Sequence, residues 1–171
     1  MSEPPLYPAG PEEVRSVLDA ETRSGLIEEL AQAPGQVRAA VAGLSEDQLQ
    51  TRYRKWTIRQ IVNHLADSHL NAFLRFKLAL TEDAPTIKPY HEGRWVELAD
   101  SREGPLEPAL TMMDALHVRW TALLRSMTDE DFQRMYFHPE SQRWVSLDEA
   151  LNSYAWHARH HTAQVHWLLR R

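Results

Sequence analysis

The sequence predicts an all-α domain built on four long helices, and three observations carry that expectation. Apolar residues recur at helical spacing in four separate stretches. No run alternates apolar and polar residues convincingly enough to demand a sheet, and most of the prolines gather between the helical stretches. The length, 171 residues, suits one domain spanning 1–171.

Residues 1–12 carry four prolines and one glycine, which reads as an extended arm laid on the surface. From about Glu21 to Leu44, Leu26, Leu30, Val37, Val41 and Leu44 recur at three, four or seven, so a first amphipathic helix is expected, broken or kinked at Pro34 for want of an N–H. Ser45-Glu46-Asp47 opens a short helical turn through Leu49. Thr57 caps the second long helix, where Ile58, Ile61, Val62, Leu65, Ala72, Phe73, Phe76 and Leu80 run without Gly or Pro to about Thr81.

Residues 82–108 are rich in Pro and Gly, with a helical turn possible around Trp95. Antiparallel neighbours in a bundle need only ~2–8 connecting residues, so a segment this long implies a crossover between parallel helices, a functional lid, or both. Leu110, Met113, Leu116, Trp120, Leu123 and Leu124 mark a third helix from Ala109 to Met127, and Thr128-Asp-Glu-Asp starts a short turn that ends near His138-Pro139. Ser146 with Glu149 has the spacing of a capping box and opens the fourth helix, which carries Leu147, Leu151, Tyr154, Ala158, Val165 and Leu168.

Composition narrows the function. Hydrophobic residues are 43% and charged residues 25%, as in a folded globular chain. The net charge of -5 and the lack of any Lys/Arg-rich stretch argue against nucleic acid as a partner. With no apolar run of membrane-spanning length and no basic, apolar leader, a cytoplasmic protein without a membrane partner is expected. There is no cysteine, so thiolate metal sites, disulfides and a cysteine nucleophile are excluded, and any thiol chemistry must use a thiol from outside. Nine histidines and six tryptophans stand out, the tryptophans being read as packing residues.

The sharpest local feature is His157-Ala-Arg-His160-His161. At ~100° per residue, His157 and His161 lie about 40° apart, one turn above the other, so two imidazoles can reach one ion, while His160 falls nearly opposite the apolar stripe. Ala158 occupies the place where the zincin motif has its general base, and no Glu has a His three residues on, which removes the zincin and di-iron classes. A catalytic metal site wants a third protein ligand, and the second helix offers His64 and His69. Stripe arithmetic puts His69 at the centre of the apolar face and His64 on its flank; spacing alone does not choose between them.

The stretch Trp56-Thr-Ile-Arg-Gln-Ile-Val-Asn-His64-Leu-Ala-Asp-Ser-His69, with Arg75-Phe-Lys-Leu-Ala-Leu-Thr-Glu, Pro85-Thr-Ile-Lys-Pro-Tyr90 and the Tyr154–Ala163 segment, resembles the YfiT-like proteins of the DinB/YfiT superfamily over nearly the whole chain. The resemblance implies a four-helix bundle of up-down-down-up topology, with the long crossover between the second and third helices, and a homodimer. It further implies one divalent metal ion per chain, zinc or nickel, held by His64, His157 and His161. Asn63 departs from relatives that have a second His there, at a position that is not a ligand in the pattern. Asp67, one turn after His64, is a candidate to orient a ligand imidazole, and His69 is expected to be a buried, hydrogen-bonded histidine. Tyr90, Glu92, Arg94 and Trp95 are candidates to line the mouth of the site.

Three neutral imidazoles leave the ion's charge uncompensated and favour an anion, a metal-bound water or thiolate, at the open position. Superfamily members are described as metal-dependent hydrolases and as transferases that use low-molecular-weight thiols such as bacillithiol. The expected function is therefore transfer of a bacillithiol-type thiol to an electrophilic small molecule. Hydrolysis by metal-activated water is the first alternative, and a non-catalytic metal-binding stress protein the second. No residue is identified as a general base.

Overall fold

In the computed structural model, which describes residues 3–170, the chain runs α1 (Ala20–Val41), α2 (Glu46–Leu49), β1 (Arg52–Tyr53), β2 (Trp56–Thr57), α3 (Ile58–Thr81), α4 (Glu92–Trp95), α5 (Ala99–Glu103), α6 (Glu107–Ser126), α7 (Asp129–Gln133), β3 (Met135–His138), β4 (Arg143–Ser146) and α8 (Leu147–Leu169). Residues 1–2 of the expected arm and Arg171 lie outside the described residues. The four long helices are α1, α3, α6 and α8, and their directions follow from which residues meet. Arg23 and Arg159 pair with Asp148 and Glu29, so α1 and α8 run parallel. Arg38 reaches Glu107 and Asp114 while Arg125 reaches Glu28, so α6 runs against α1. His64 meets His157 and His161 while His69 meets His157, so α3 runs against α8. The bundle is up-down-down-up.

Since α3 and α6 are parallel, the chain must return along the bundle between them. Residues 82–106 do so over the outer face of α3, carrying α4 and α5. Near its start the crossover is held by Ile87 N–H donating to Phe137 C=O at 3.1 Å. Farther on, the Gln60 amide donates to Val96 C=O at 2.9 Å, and Arg59 donates to Gly104 C=O. Gly104 closes α5 so tightly that a Cβ there would lie 2.4 Å from Asp100 O, which excludes any other residue without backbone movement.

Helix starts follow the expected chemistry. Thr57 and Gln60 form a complete capping box on α3. Ser146 accepts from Glu149 N–H at the start of α8, but the Glu149 carboxylate takes the Arg143 guanidinium instead of closing the box. Two expectations need correction. Pro34 does not break the first helix: α1 is continuous through it, and the only backbone bond forfeited is the one its N–H would make to Leu30 C=O. Two small antiparallel hairpins, β1–β2 and β3–β4, are present where no strand was expected. Their strands are two and four residues long, too short for alternation to register as a pattern.

The arm is extended as expected and continues to Leu18. Trp156 Nε1–H donates to Gly10 C=O at 3.0 Å, Asn152 to Glu13 C=O at 2.6 Å and Ser146 Oγ–H to Ser16 C=O at 2.8 Å, so the arm lies along α8. Inside the bundle, one apolar layer gathers Leu30, Ala72, Phe76, Trp120, Leu151 and Ala155. A second gathers Val37, Ile61, Leu65, Met113 and Val165. Along the chain, His69 on α3 and His157, His160 and His161 on α8 fall between these layers, whereas His64 falls among the residues of the second. Among the described residues no helix is long and apolar enough to cross a membrane.

Candidate metal centre

The antiparallel crossing of α3 and α8 brings one histidine of α3 against two of α8. His64 Nε2 lies 3.1 Å from His157 Nε2, and His64, His157 and His161 each present a ring nitrogen within 4.8 Å of the others. Zinc–imidazole bonds of about 2.0–2.1 Å in tetrahedral geometry put ligand nitrogens about 3.3 Å apart, so this spacing fits one ion with little adjustment. The β1–β2 hairpin places Trp56 over the cluster, its ring 4.6 Å from that of His64 and stacked 6.1 Å from that of His161.

All three rings are held neutral. Burial pushes His64 down to about 4. It pushes His157 and His161 well below the ordinary histidine range, with the neighbouring imidazoles adding to the effect. The His161 proton is also directed away from the centre. Gln164 Oε1 can only accept, so the 2.8 Å contact from His161 Nδ1 is a donation that leaves Nε2 bare. A neutral, converging set of lone pairs from three imidazoles fits a divalent ion such as zinc or nickel. Without an ion, two imidazole nitrogens at 3.1 Å would share at most one proton; His64 Nδ1 is buried and has no hydrogen-bond partner.

The other residues singled out in the sequence are placed as follows. His69 is fully buried and belongs to a hydrogen-bonded row: its Nδ1 is 2.8 Å from His117 Nε2 and its Nε2 is 3.4 Å from His157 Nδ1. His160 is stacked on Trp156 at 4.7 Å and its Nε2 accepts from the Gln164 amide at 2.9 Å. Asp67 makes no hydrogen bond to a ligand ring; burial, with Asp100 nearby, raises its carboxyl to about 6. Tyr90, Glu92 and Arg94 border a surface hollow of about 340 Å³ with Glu140. His161 instead borders a different cavity, of about 480 Å³, whose wall includes Leu6, Tyr53, Arg54, Lys55 and Trp56. Sequence reasoning missed His117 and Gln164. His117 had a signal, since it occupies the core stripe of α6 with Met113, Trp120 and Leu124; Gln164 had only its position one turn beyond His160 and His161.

Comparison with known proteins bears on the fold and on metal dependence. Residues 29–165 match the family model of the DinB superfamily. The chain is 43% identical over 167 residues to "Putative metal-dependent hydrolase YfiT" of Bacillus subtilis, covering 96% of this chain and 94% of that one. It is 44% identical over 171 residues to a "Putative metal-dependent hydrolase" of Geobacillus thermodenitrificans, covering 99% and 96%. The solved structure of YfiT from Bacillus subtilis, described as a probable metal-dependent hydrolase with an unusual four-helix bundle topology, superposes with a TM-score of 0.93 at 42% identity, covering 96% of this chain and 95% of that one.

Proposed function

The chain belongs to the DinB superfamily, and from that premise we propose that it is a metal-dependent enzyme that transfers a low-molecular-weight thiol of the bacillithiol kind to electrophilic small molecules. The observation that carries this reading is the neutral three-histidine set, of which His161 borders a cavity, with no carboxylate among the described residues hydrogen-bonded to any of the three rings. A divalent ion, when bound, supplies Lewis acidity and an uncompensated positive charge. His64, His157 and His161 would hold it; Leu6, Tyr53 and Trp56 offer apolar contact to an electrophile, and Lys55 favours a negatively charged partner, whereas Arg54 is paired with Glu3 of the same cavity.

That no carboxylate among the described residues is hydrogen-bonded to the three rings separates the nucleophiles. A thiol has a free pKa of about 8.5 and gives up its proton far more readily than water, so it asks less of the site. The chain has no cysteine, and the thiol is therefore a second substrate. In the transfer, sulfur forms the bond to the electrophilic carbon, the leaving group departs with its electron pair, and the thiol proton passes to solvent. Hydrolysis is the second reading, favoured by the names the relatives carry.

One pair of assays decides. Metal-loaded protein is expected to accelerate conjugation of bacillithiol to monochlorobimane, and His64→Ala to lose that acceleration. Metal-dependent cleavage of an ester or amide panel without conjugation selects the hydrolase. Silence in both assays overturns the enzyme reading in favour of a non-catalytic metal-binding protein.

A further inference from the structure

Three hydrogen bonds behind the ligand set join end to end. Pro34 has no N–H, so the helical partner that Leu30 C=O would have is missing, and this carbonyl accepts from His117 Nδ1 at 2.6 Å. His117 Nε2 then meets His69 Nδ1 at 2.8 Å, and His69 Nε2 meets His157 Nδ1 at 3.4 Å.

The direction of every bond follows from its first member. A carbonyl only accepts, so the proton of neutral His117 is on Nδ1 and its Nε2 is an acceptor. His69 must then donate from Nδ1, which leaves its own Nε2 as the acceptor for His157 Nδ1–H. His157 is thereby left with a bare Nε2, the nitrogen that faces His64. His69 and His117 are 0% and 1% exposed, and the row of three bonds is satisfied end to end with one N–H per ring.

We propose that His69 and His117 are positioning residues, a tautomer relay that carries the acceptor character of the Leu30 carbonyl to His157 and presets its Nε2 as a metal donor. The relay explains two polar rings that are 0% and 1% exposed beside Trp120, where an apolar side chain would avoid the cost of burying a polar group. Hydrogen bonding of the distal nitrogen fixes a ligand ring's orientation and raises its basicity, and loss of such a partner typically weakens metal binding by about 10- to 100-fold.

The consequence for affinity rests on the metal reading above, whereas the tautomer assignment does not, and the experiment separates the two. Nitrogen-15 NMR of the metal-free parent protein is expected to show Nδ1–H on His117, His69 and His157; Nε2–H on His117 or His69 overturns the relay even if the metal site is sound. Titration with Zn²⁺ against a chromophoric chelator is expected to show roughly 10- to 100-fold weaker binding in His117→Leu. His117→Gln should recover most of the loss, because its amide can donate to Leu30 and accept from His69. The Co²⁺ absorption spectrum should shift in His117→Leu and revert in His117→Gln. Parent-like affinity and spectrum in a folded His117→Leu protein, with only its stability reduced, overturn the role in metal binding; if it fails to fold, the parent spectrum and the affinity of His117→Gln decide. A parent protein that binds no ion while showing the expected tautomers leaves the relay standing and removes the metal reading.

Discussion

A histidine that binds a divalent ion must be neutral, and here burial keeps the three rings neutral even without the ion. In the metal-free protein this makes stability depend on pH, with a definite sign. His64 is pushed down to about 4 when folded, against an ordinary 6.5, so between those values the unfolded chain binds the extra proton and stability falls as pH falls. The urea midpoint of metal-free protein is expected to be level above pH ~6.5 and to drop on acidification toward 4, with His64 alone accounting for on the order of 3 kcal/mol; a midpoint unchanged from pH 7 to 4.5 contradicts this. Substitution separates the two histidines of α3. His64→Ala and His161→Ala are expected to keep less than ~0.2 ion per chain, because each removes one of three ligands. His69→Ala should still load in excess metal but lose about 1–3 kcal/mol of stability by leaving buried partners unsatisfied. Elemental analysis and urea midpoints test both statements, and a metal-free His69→Ala beside a fully loaded His64→Ala would reverse the assignment. Periodicity did not separate His64 from His69 because both rings point inward, at 3% and 0% exposed. What separates them is the position of α8, which a single helix's stripe does not contain.

At the scale of elements, the long helices were legible because each carries enough turns for apolar spacing to repeat, and α2, α3 and α8 because Ser45, Thr57 and Ser146 announce their starts. The hairpins were not: the β1–β2 pair has only two ladder positions, and its tight turn is made by Arg54 at φ 54° rather than by a glycine. That hairpin nevertheless places Trp56 on the metal centre, so the least legible element supplies a wall of the site. The first turn of α8 is anchored in a way spacing does not reveal either. Asp148 is fully buried and accepts from Leu18 N–H at 3.1 Å, Arg23 Nε at 2.9 Å and the Gln133 amide at 2.9 Å, tying the arm, α1 and α7 to α8. Removing the carboxylate leaves the buried Arg23 guanidinium with the exposed Asp129 as its one acidic partner and leaves the Leu18 N–H and the Gln133 amide without their acceptor, so Asp148→Ala is expected to lower stability by about 3 kcal/mol. Chemical denaturation measures it; a loss below ~1 kcal/mol would mean that the pair is not the anchor described.

For the whole molecule, the core is two apolar layers, one around Phe76, Trp120 and Leu151 and one around Ile61, Leu65 and Met113. Neither layer includes a metal ligand, and a chain of 171 residues buries enough apolar surface on four long helices to fold without help from an ion. Metal binding is therefore added to a finished fold, unlike a zinc finger, where binding free energy is the folding free energy. The ion still stabilises by mass action: at a free concentration ~1,000 times its dissociation constant the gain is about 4 kcal/mol, which in a domain of this size moves Tm by roughly 8–16 °C. Chelation is thus expected to leave the helical circular dichroism at room temperature unchanged, to lower Tm by that amount, and to abolish whatever catalysis the loaded protein shows. Cooperative loss of helix on adding chelator at room temperature would show instead that the two apolar layers do not hold the bundle together and that the histidine centre is part of its core.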